Sequence, residues 1–405
     1  MTVRARRKPT RPRGHWPRNA HRIRVLMMTD AVGGVWNVSL DLAAGLRPHR
    51  IDVILAVLGP APSPAQARAA AEAGVHVEHA PYALEWTADP WDDVRAAAEW
   101  LAQLELRFGC DLVHLNGYSY AQYAFRGPKV VVGHSCLSSW WQAVRATALP
   151  ATWERYQREV SAGLAAAHHL VAPTVWMASE LRRHYGAGPE ISVIHNGRSS
   201  RQFMPAAKRP VIFMAGRIWD EAKNLRALSR ISREISWPIE VAGPLAVPGQ
   251  DGGSGTDRKL GGETAYDVSG VELLGPLAVP ELARAYGAAS IYALPARYEP
   301  FGLTVLEAAL SGCALVLGDI PSLRELWGDA AIFVNPADDG ALARALSNLI
   351  NWPTERADLG RRARSRARRY SRDRMLAAYA RLYGRMLAWP TSRRSTVTSE
   401  VACAS

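Results

Sequence analysis

Residues 297–325 read RYEPFGLTVLEAALSGCALVLGDIPSLRE, and they hold most of one repeat of an alternating fold. The SIYALP segment just before them, 290–295, is a short apolar strand. Ala296 to Glu299 leave it as a loop, Pro300 fixes the backbone, and Gly302 lets a helix begin near Leu303. The apolar run CALVLG, 313–318, follows as the next strand. A strand, a short loop, a helix and a second continuous apolar strand make a βαβ unit, the building block of a parallel sheet covered on both faces. Two carboxylates stand in this unit, Glu299 ahead of the helix and Glu307 one turn inside it.

The same rhythm extends in both directions. Toward the carboxyl end one more strand is expected over 331–336, and after 338 the pattern is entirely helical, through 371–388. Toward the amino end, strands are expected over 211–216, 239–243 and 271–275, and a Gly-rich stretch, 246–270, reads as a surface loop. A polar, aperiodic segment, 198–209, separates this half from an earlier one and is the expected hinge. The earlier half carries apolar strands at 23–29, 51–59, 75–80, 111–117, 129–134, 168–173 and 191–197. Helices lie between them, one over 90–107 with Val94, Ala97, Leu101 and Leu104 on one face. The fold class is therefore α/β: two Rossmann-like, doubly wound domains facing a central cleft, followed by C-terminal helices.

Composition agrees with this reading. A chain of 405 residues exceeds the size at which one core keeps growing, so two domains are expected. Its 48% hydrophobic and 21% charged content is that of a globular protein, which excludes a disordered or fibrous chain. The net charge of +12 is uneven: residues 1–24 hold nine Arg or Lys and no acid, leaving +3 for the remainder. Residues 1–22 are read as a disordered basic arm, and 391–405 as a disordered tail. The arm has no apolar segment, so it is neither a secretory signal nor a span. Cys110, Cys136, Cys313 and Cys403 form no Cys-x-x-Cys pair and suggest neither disulfides nor structural zinc. A reducing cytoplasm is the expected compartment, with peripheral membrane contact left open and nucleic acid not expected as a partner. The arginines from Arg361 to Arg374 are read as a solvated helix face.

In doubly wound folds ligands bind beyond the carboxyl ends of the strands, and the chemistry is sought there. After the first strand, Gly33 and Gly34 form a tight turn into a helix whose free N–H groups suit an anion. The turn does not match G-x-G-x-x-G, so a dinucleotide fingerprint is absent. After the strand at 211–216, Arg217 and Lys223 lie six apart around a loop, a planar fork and a point charge that together suit a diphosphate. Lysine is scarce, with five against 44 Arg, which sets Lys223 apart from surface filler. The amides near Phe301, Gly302 and Leu303 point out of a helix start toward phosphate or sugar oxygens. Paired carboxylates also serve glycosidases, but Arg217 and Lys223 count against that reading, since a glycoside has no leaving phosphate.

The combination G-R-x5-K (216–223) with E-P-F-G-L-x3-E-A (299–308) resembles the retaining glycosyltransferases of family 4, built on the GT-B fold. The resemblance covers about 23–389 and takes in Gly33 and Gly34, His134 after VVVG, Asn196 and Gly197 at the domain crossing, and LGDIPSLRE. It implies an acceptor-side domain over 23–200, a donor-binding domain over 201–370, and a helix over 371–390 packing back on the first domain. It implies that Arg217 and Lys223 grip the diphosphate of a nucleoside diphosphate sugar. Glu299 and His134 would then meet the transferred sugar and Glu307 the ribose, with Phe301, Gly302 and Leu303 adding backbone donors. Gly33, Gly34 and Asn196 complete the implied substrate site. No cofactor beyond the donor is implied, and because Asp-x-Asp occurs nowhere no essential metal is expected. The family often has His-Asp where this chain has His134-Ser135, and Asp319-Ile320-Pro321 replaces a common Gly-Gly turn. Trp140 and Trp141 are candidates for acceptor stacking or for the core. The expected activity is hexosyl transfer to an acceptor hydroxyl with retention, the acceptor being a glycan, a lipid or a small molecule. A nucleotide-sugar epimerase or hydrolase of the same fold, or a non-catalytic sugar-binding protein, remains as the alternative.

Overall fold

The computed structural model describes residues 22–186, 188–245 and 269–388. The expected basic arm, apart from Arg22, most of the Gly-rich loop and the C-terminal tail lie outside the described residues.

The first lobe is a seven-stranded sheet built from β1 (Ile23–Asp30), β2 (Ile51–Leu58), β3 (His76–Ala80), β4 (Leu112–Leu115), β5 (Lys129–Val132), β6 (His169–Ala172) and β7 (Ile191–Val193). The second is six-stranded: β8 (Arg209–Ala215), β9 (Ile239–Ala242), β10 (Glu272–Gly275), β11 (Ala289–Leu294), β12 (Ala314–Gly318) and β13 (Ile332–Val334). Their orders are β3-β2-β1-β4-β5-β6-β7 and β10-β9-β8-β11-β12-β13, and the strands pair in parallel throughout. Strand order therefore reverses beside β1 and beside β8, and the crevices that open there, between β1 and β4 and between β8 and β11, are the ligand positions of a doubly wound sheet.

Both faces of each strand are apolar because both are covered. In β1, Leu26 and Met28 join one cluster with Val94, Ala97, Leu101 and Leu104 of the helix Trp91–Phe108. Val25 and Met27 point the other way, into a cluster with Val38, Leu42 and Leu46 of the helix Gly34–Leu46. That second cluster is completed by Met375, Leu376, Tyr379, Tyr383 and Met386 of the last helix, Arg372–Ala388. The described residues thus return to the first lobe after crossing between lobes twice.

The two crossings lie side by side. Arg198 N donates to Tyr370 O at 3.2 Å and Arg372 N donates to Arg198 O at 3.1 Å, a short parallel bridge between 198 and 371. Gly197 is required here: a Cβ would stand 2.5 Å from Ser371 O. The polar look of 198–209 conceals two buried residues, Arg198 and Phe203. The arginines of the last helices are not a plain solvated face either. Arg361 is exposed and pairs with Asp358, whereas Arg364 donates to Leu310 O and Arg366 to Leu326 O, so part of this charge fastens helices to the second lobe.

Candidate active site

Three loops and the ends of two further strands meet at the two crevices. The first leaves β1: Asp30 turns the chain by accepting from Val32 N at 2.8 Å, and the helix Gly34–Leu46 begins with Gly33 as its N-cap. Burial pushes the Asp30 carboxyl above its ordinary range, against the Val32 and Gly33 amides and the Arg217 charge. The glycines let the second lobe come close. A Cβ at Gly33 would lie 3.3 Å from Arg217 Nη1, and one at Gly34 would lie 3.2 Å from Leu303 Cδ1.

The second loop follows β8. Arg217 Nη2 donates to Asp220 Oδ2 at 2.9 Å, and Asp220 also accepts from Ala222 N and, across the cleft, from Trp140 Nε1 at 3.1 Å. Burial works to raise the Asp220 pKa, but the charges of Lys223 and Arg217 with these hydrogen bonds hold the carboxyl below its ordinary range. It stays an anion and orients Arg217. Asn224 then takes a left-handed conformation, φ 58°, tolerable for Asn. Its side chain donates to Pro295 O and Pro336 O, both at 2.9 Å.

The third loop follows β11 and is tied to the second by Arg297 N donating to Ala222 O at 2.8 Å. This juxtaposition sets Lys223 against Glu299, with Nζ donating to Oε2 at 2.7 Å. Phe301 N donates to the other oxygen of Glu299 at 3.3 Å, and Ser322 Oγ donates to its backbone carbonyl. Gly302, φ 83°, is the N-cap of the helix Leu303–Leu310, a backbone turn that a residue with a Cβ resists.

The fourth wall comes from the ends of β4 and β5. Asn116 Nδ2 donates to Met28 O at 2.8 Å, which fixes the amide orientation, so its Oδ1 can only accept. His134 Nε2 lies 2.8 Å and His114 Nε2 3.0 Å from that oxygen, so each ring carries its proton on Nε2. His114 Nδ1 then accepts from Tyr383 OH at 2.6 Å, and Nδ1 of His134 is left with its lone pair. Burial, with His114 as a neighbour, pushes His134 down to about 3, and burial pushes His114 down to about 4, so both are neutral at physiological pH.

The sequence-predicted residues fall into two groups. Gly33, His134 and Arg217 line one cavity of about 200 Å³, open to solvent between the lobes, together with Asn116, Trp140 and Asp220. Lys223, Glu299 and Phe301 converge next to it through Asp220 and the Arg297 tie, and Leu303 reaches the Gly34 turn. Asn196 and Glu307 lie away from that cavity lining, beside the chain crossing. Asn196 is buried, and Glu307 is held by Arg198, whose Nε donates to Oε1 at 2.7 Å while its Nη1 donates to Asp41 Oδ2 at 2.8 Å. Burial raises the Glu307 pKa and the Arg198 charge opposes it. Sequence reasoning did not find Asn116, Asp220 or Arg198. Asn116 had a signal, a polar residue directly after the apolar β4; Asp220, five positions beyond β8, and Arg198 had none. Among the described residues no cluster of three His, Cys, Asp or Glu is placed to hold a metal ion, and no helix is long and apolar enough to cross a membrane.

Two parallel α/β lobes with their switch-point crevices turned toward each other define a glycosyltransferase of the GT-B fold. Residues 32–200 match the family model described as Glycosyltransferase Family 4, and residues 209–351 match Glycosyl transferases group 1. The chain belongs to the family 4-like glycosyltransferases. A D-inositol 3-phosphate glycosyltransferase of Gordonia bronchialis is 28% identical over 261 residues, 58% of this chain and 56% of that protein. The chain spans about half the length of the curated relatives it matches. Among solved structures, a sucrose-phosphate synthase from Thermosynechococcus elongatus has a TM-score of 0.72 at 20% identity, covering 91% of this chain and 100% of that one. Anabaena HepE in complex with UDP-glucose has a TM-score of 0.71 at 16% identity, covering 90% and 100%. At these identities the two structures bear on the fold alone.

Proposed function

We propose that the protein is a retaining hexosyltransferase that moves a sugar from a nucleoside diphosphate sugar to an acceptor hydroxyl. The observation that carries this reading is the Lys223–Glu299 pair at 2.7 Å, held beside Arg217 and the Gly33 turn by loops from the switch point of the second sheet. A diphosphate entering there meets an ammonium, a guanidinium and the amides at the start of the helix Leu303–Leu310. Glu299 accepts from sugar hydroxyls, and His134, neutral, offers Nδ1 as a further acceptor. HepE, which shares this fold, was solved in complex with UDP-glucose, and a donor of that kind suits the groups gathered here.

In the step itself the bond between the anomeric carbon and the β-phosphate oxygen breaks, and a bond to the acceptor oxygen forms on the same face. The proton of the acceptor hydroxyl passes to the departing phosphate, so no protein base is needed. Lys223 and Arg217 stabilise the charge that develops on that phosphate. Removing one such preorganised donor slows comparable reactions about 10²- to 10³-fold.

Lys223→Ala is therefore expected to lower donor turnover by at least about 10²-fold while circular dichroism stays unchanged. Unaltered turnover in a folded variant would rule out this assignment of the site. Donor consumption that proceeds equally without an acceptor would make the protein a hydrolase. Activity is expected to survive EDTA, and NMR of the product is expected to show the donor's anomeric configuration.

A further inference from the structure

The cavity facing the first lobe contains more than the donor requires. Its apolar lining includes Val32, Trp86, Leu137, Trp140 and Trp219, the last lying under the Arg217 guanidinium, 5.3 Å from Cζ to the ring centroid. Its acids are Asp30, Glu85, Asp220 and Glu221, against one cation in the lining, Arg217; burial raises the Asp30 and Glu85 carboxyls above their ordinary range, while Asp220 and Glu221 stand in ion pairs with Arg217 and Arg145. That cation already pairs with Asp220 and faces the donor diphosphate. A phosphorylated acceptor would find no cation of its own in this lining and would approach several acids, an arrangement that rejects anions.

Most polar groups of the wall are also spent on one another. Glu85 accepts from Tyr118 N, Ser119 N and Ser119 Oγ; Glu221 pairs with Arg145 at 3.1 Å; Tyr118 OH donates to Ser135 O. Asn116 is committed to two histidines and to Met28 O. A polyol acceptor must exchange water for protein hydrogen bonds at each hydroxyl, and this wall offers few. Indole faces instead suit a flat apolar ring. We infer that the acceptor is an uncharged aryl or polycyclic alcohol, its ring between the tryptophans and its hydroxyl toward His134 and the donor. This deepens, and rests on, the transferase reading above.

Calorimetric titration of the full chain with 2-naphthol, 2-naphthyl phosphate and myo-inositol tests it. The expected result is 2-naphthol binding at least tenfold tighter than its phosphate, with no heat from myo-inositol. Trp86→Ala and Trp140→Ala should each weaken 2-naphthol at least fivefold. Leu137→Lys, at a half-buried position, should narrow the gap between 2-naphthol and its phosphate at least fivefold, a gain that misfolding would not produce. Equal or tighter binding of the phosphate or of myo-inositol overturns the inference, as does 2-naphthol binding that is absent or indifferent to both tryptophans. The two readings fail separately. If 2-naphthol binds but no donor sugar is ever turned over, the transferase reading falls and the cavity assignment stands; turnover onto myo-inositol does the opposite.

Discussion

Arg198 shows how much one side chain carries in this molecule. It is only 6% exposed, comes from the first crossing, and its guanidinium binds Glu307 of the second lobe and Asp41 of the first. Arg372, from the return crossing, adds an ion pair to Asp41 at 3.4 Å. A fork that donates in two directions has no lysine equivalent. Arg198→Met would leave the buried Glu307 carboxylate without its cation and half-buried Asp41 with Arg372 alone, and the expected loss is about 3–5 kcal/mol of stability, measurable by urea denaturation. Arg198→Met combined with Glu307→Gln should recover part of it, because no buried acid is then left without a cation, Asp41 keeping Arg372; an additive loss would show that the two residues do not interact. The resemblance assigns Glu307 to the ribose, yet its carboxylate is bound to Arg198, so any contact with a nucleotide is made by a carboxylate already held by a guanidinium.

At the scale of elements, the ends of β1, β4 and β5 and the last helix are joined by a file of polar groups: Tyr383, His114, Asn116, His134. The two histidines titrate well below an ordinary His when folded, so between about pH 4 and 6.5 the unfolded chain binds more protons than the native one. Stability must then rise with pH through that window and level off above it, by up to ~1.4 kcal/mol per pH unit for each proton. Urea midpoints measured from pH 4.5 to 7.5 should show this slope, and His114→Phe should flatten it; a slope unchanged in that variant would mean the ring is not the titrating group. The strands themselves were legible from sequence, because a parallel strand buried on both faces must be a continuous apolar run of limited length, and each expected run contains an observed strand or overlaps it closely. The Pro300–Gly302 turn was legible because few residues permit φ 83° before a helix. The partners were not. Whether Asp220 meets Trp140, 80 positions away, or Arg198 meets Glu307, 109 away, depends on how two separate sheets are set against each other, which no local pattern encodes.

At the scale of the whole molecule, two lobes are linked by paired crossings and by contacts that also bridge them elsewhere. Glu325 accepts from Val175 N at 2.8 Å and Trp176 N at 2.9 Å, capping a helix of the other lobe, and Thr174 Oγ1 donates to Pro300 O at 3.1 Å. The final helix supplies much of the cover for one face of the first sheet. A chain ending at Tyr370 should therefore expose Val25, Met27 and their neighbours, bind a hydrophobic dye and aggregate; a soluble, cooperatively melting product would refute that dependence. The same feature has a meaning for biosynthesis. The lobe that leaves the ribosome first is the last to be finished, since roughly 190 residues must be translated before its missing wall arrives, a delay of about 10–40 s at ~5–20 residues per second. Throughout that interval one face of the nascent sheet stays oily and uncovered, the wall that the last helix will close.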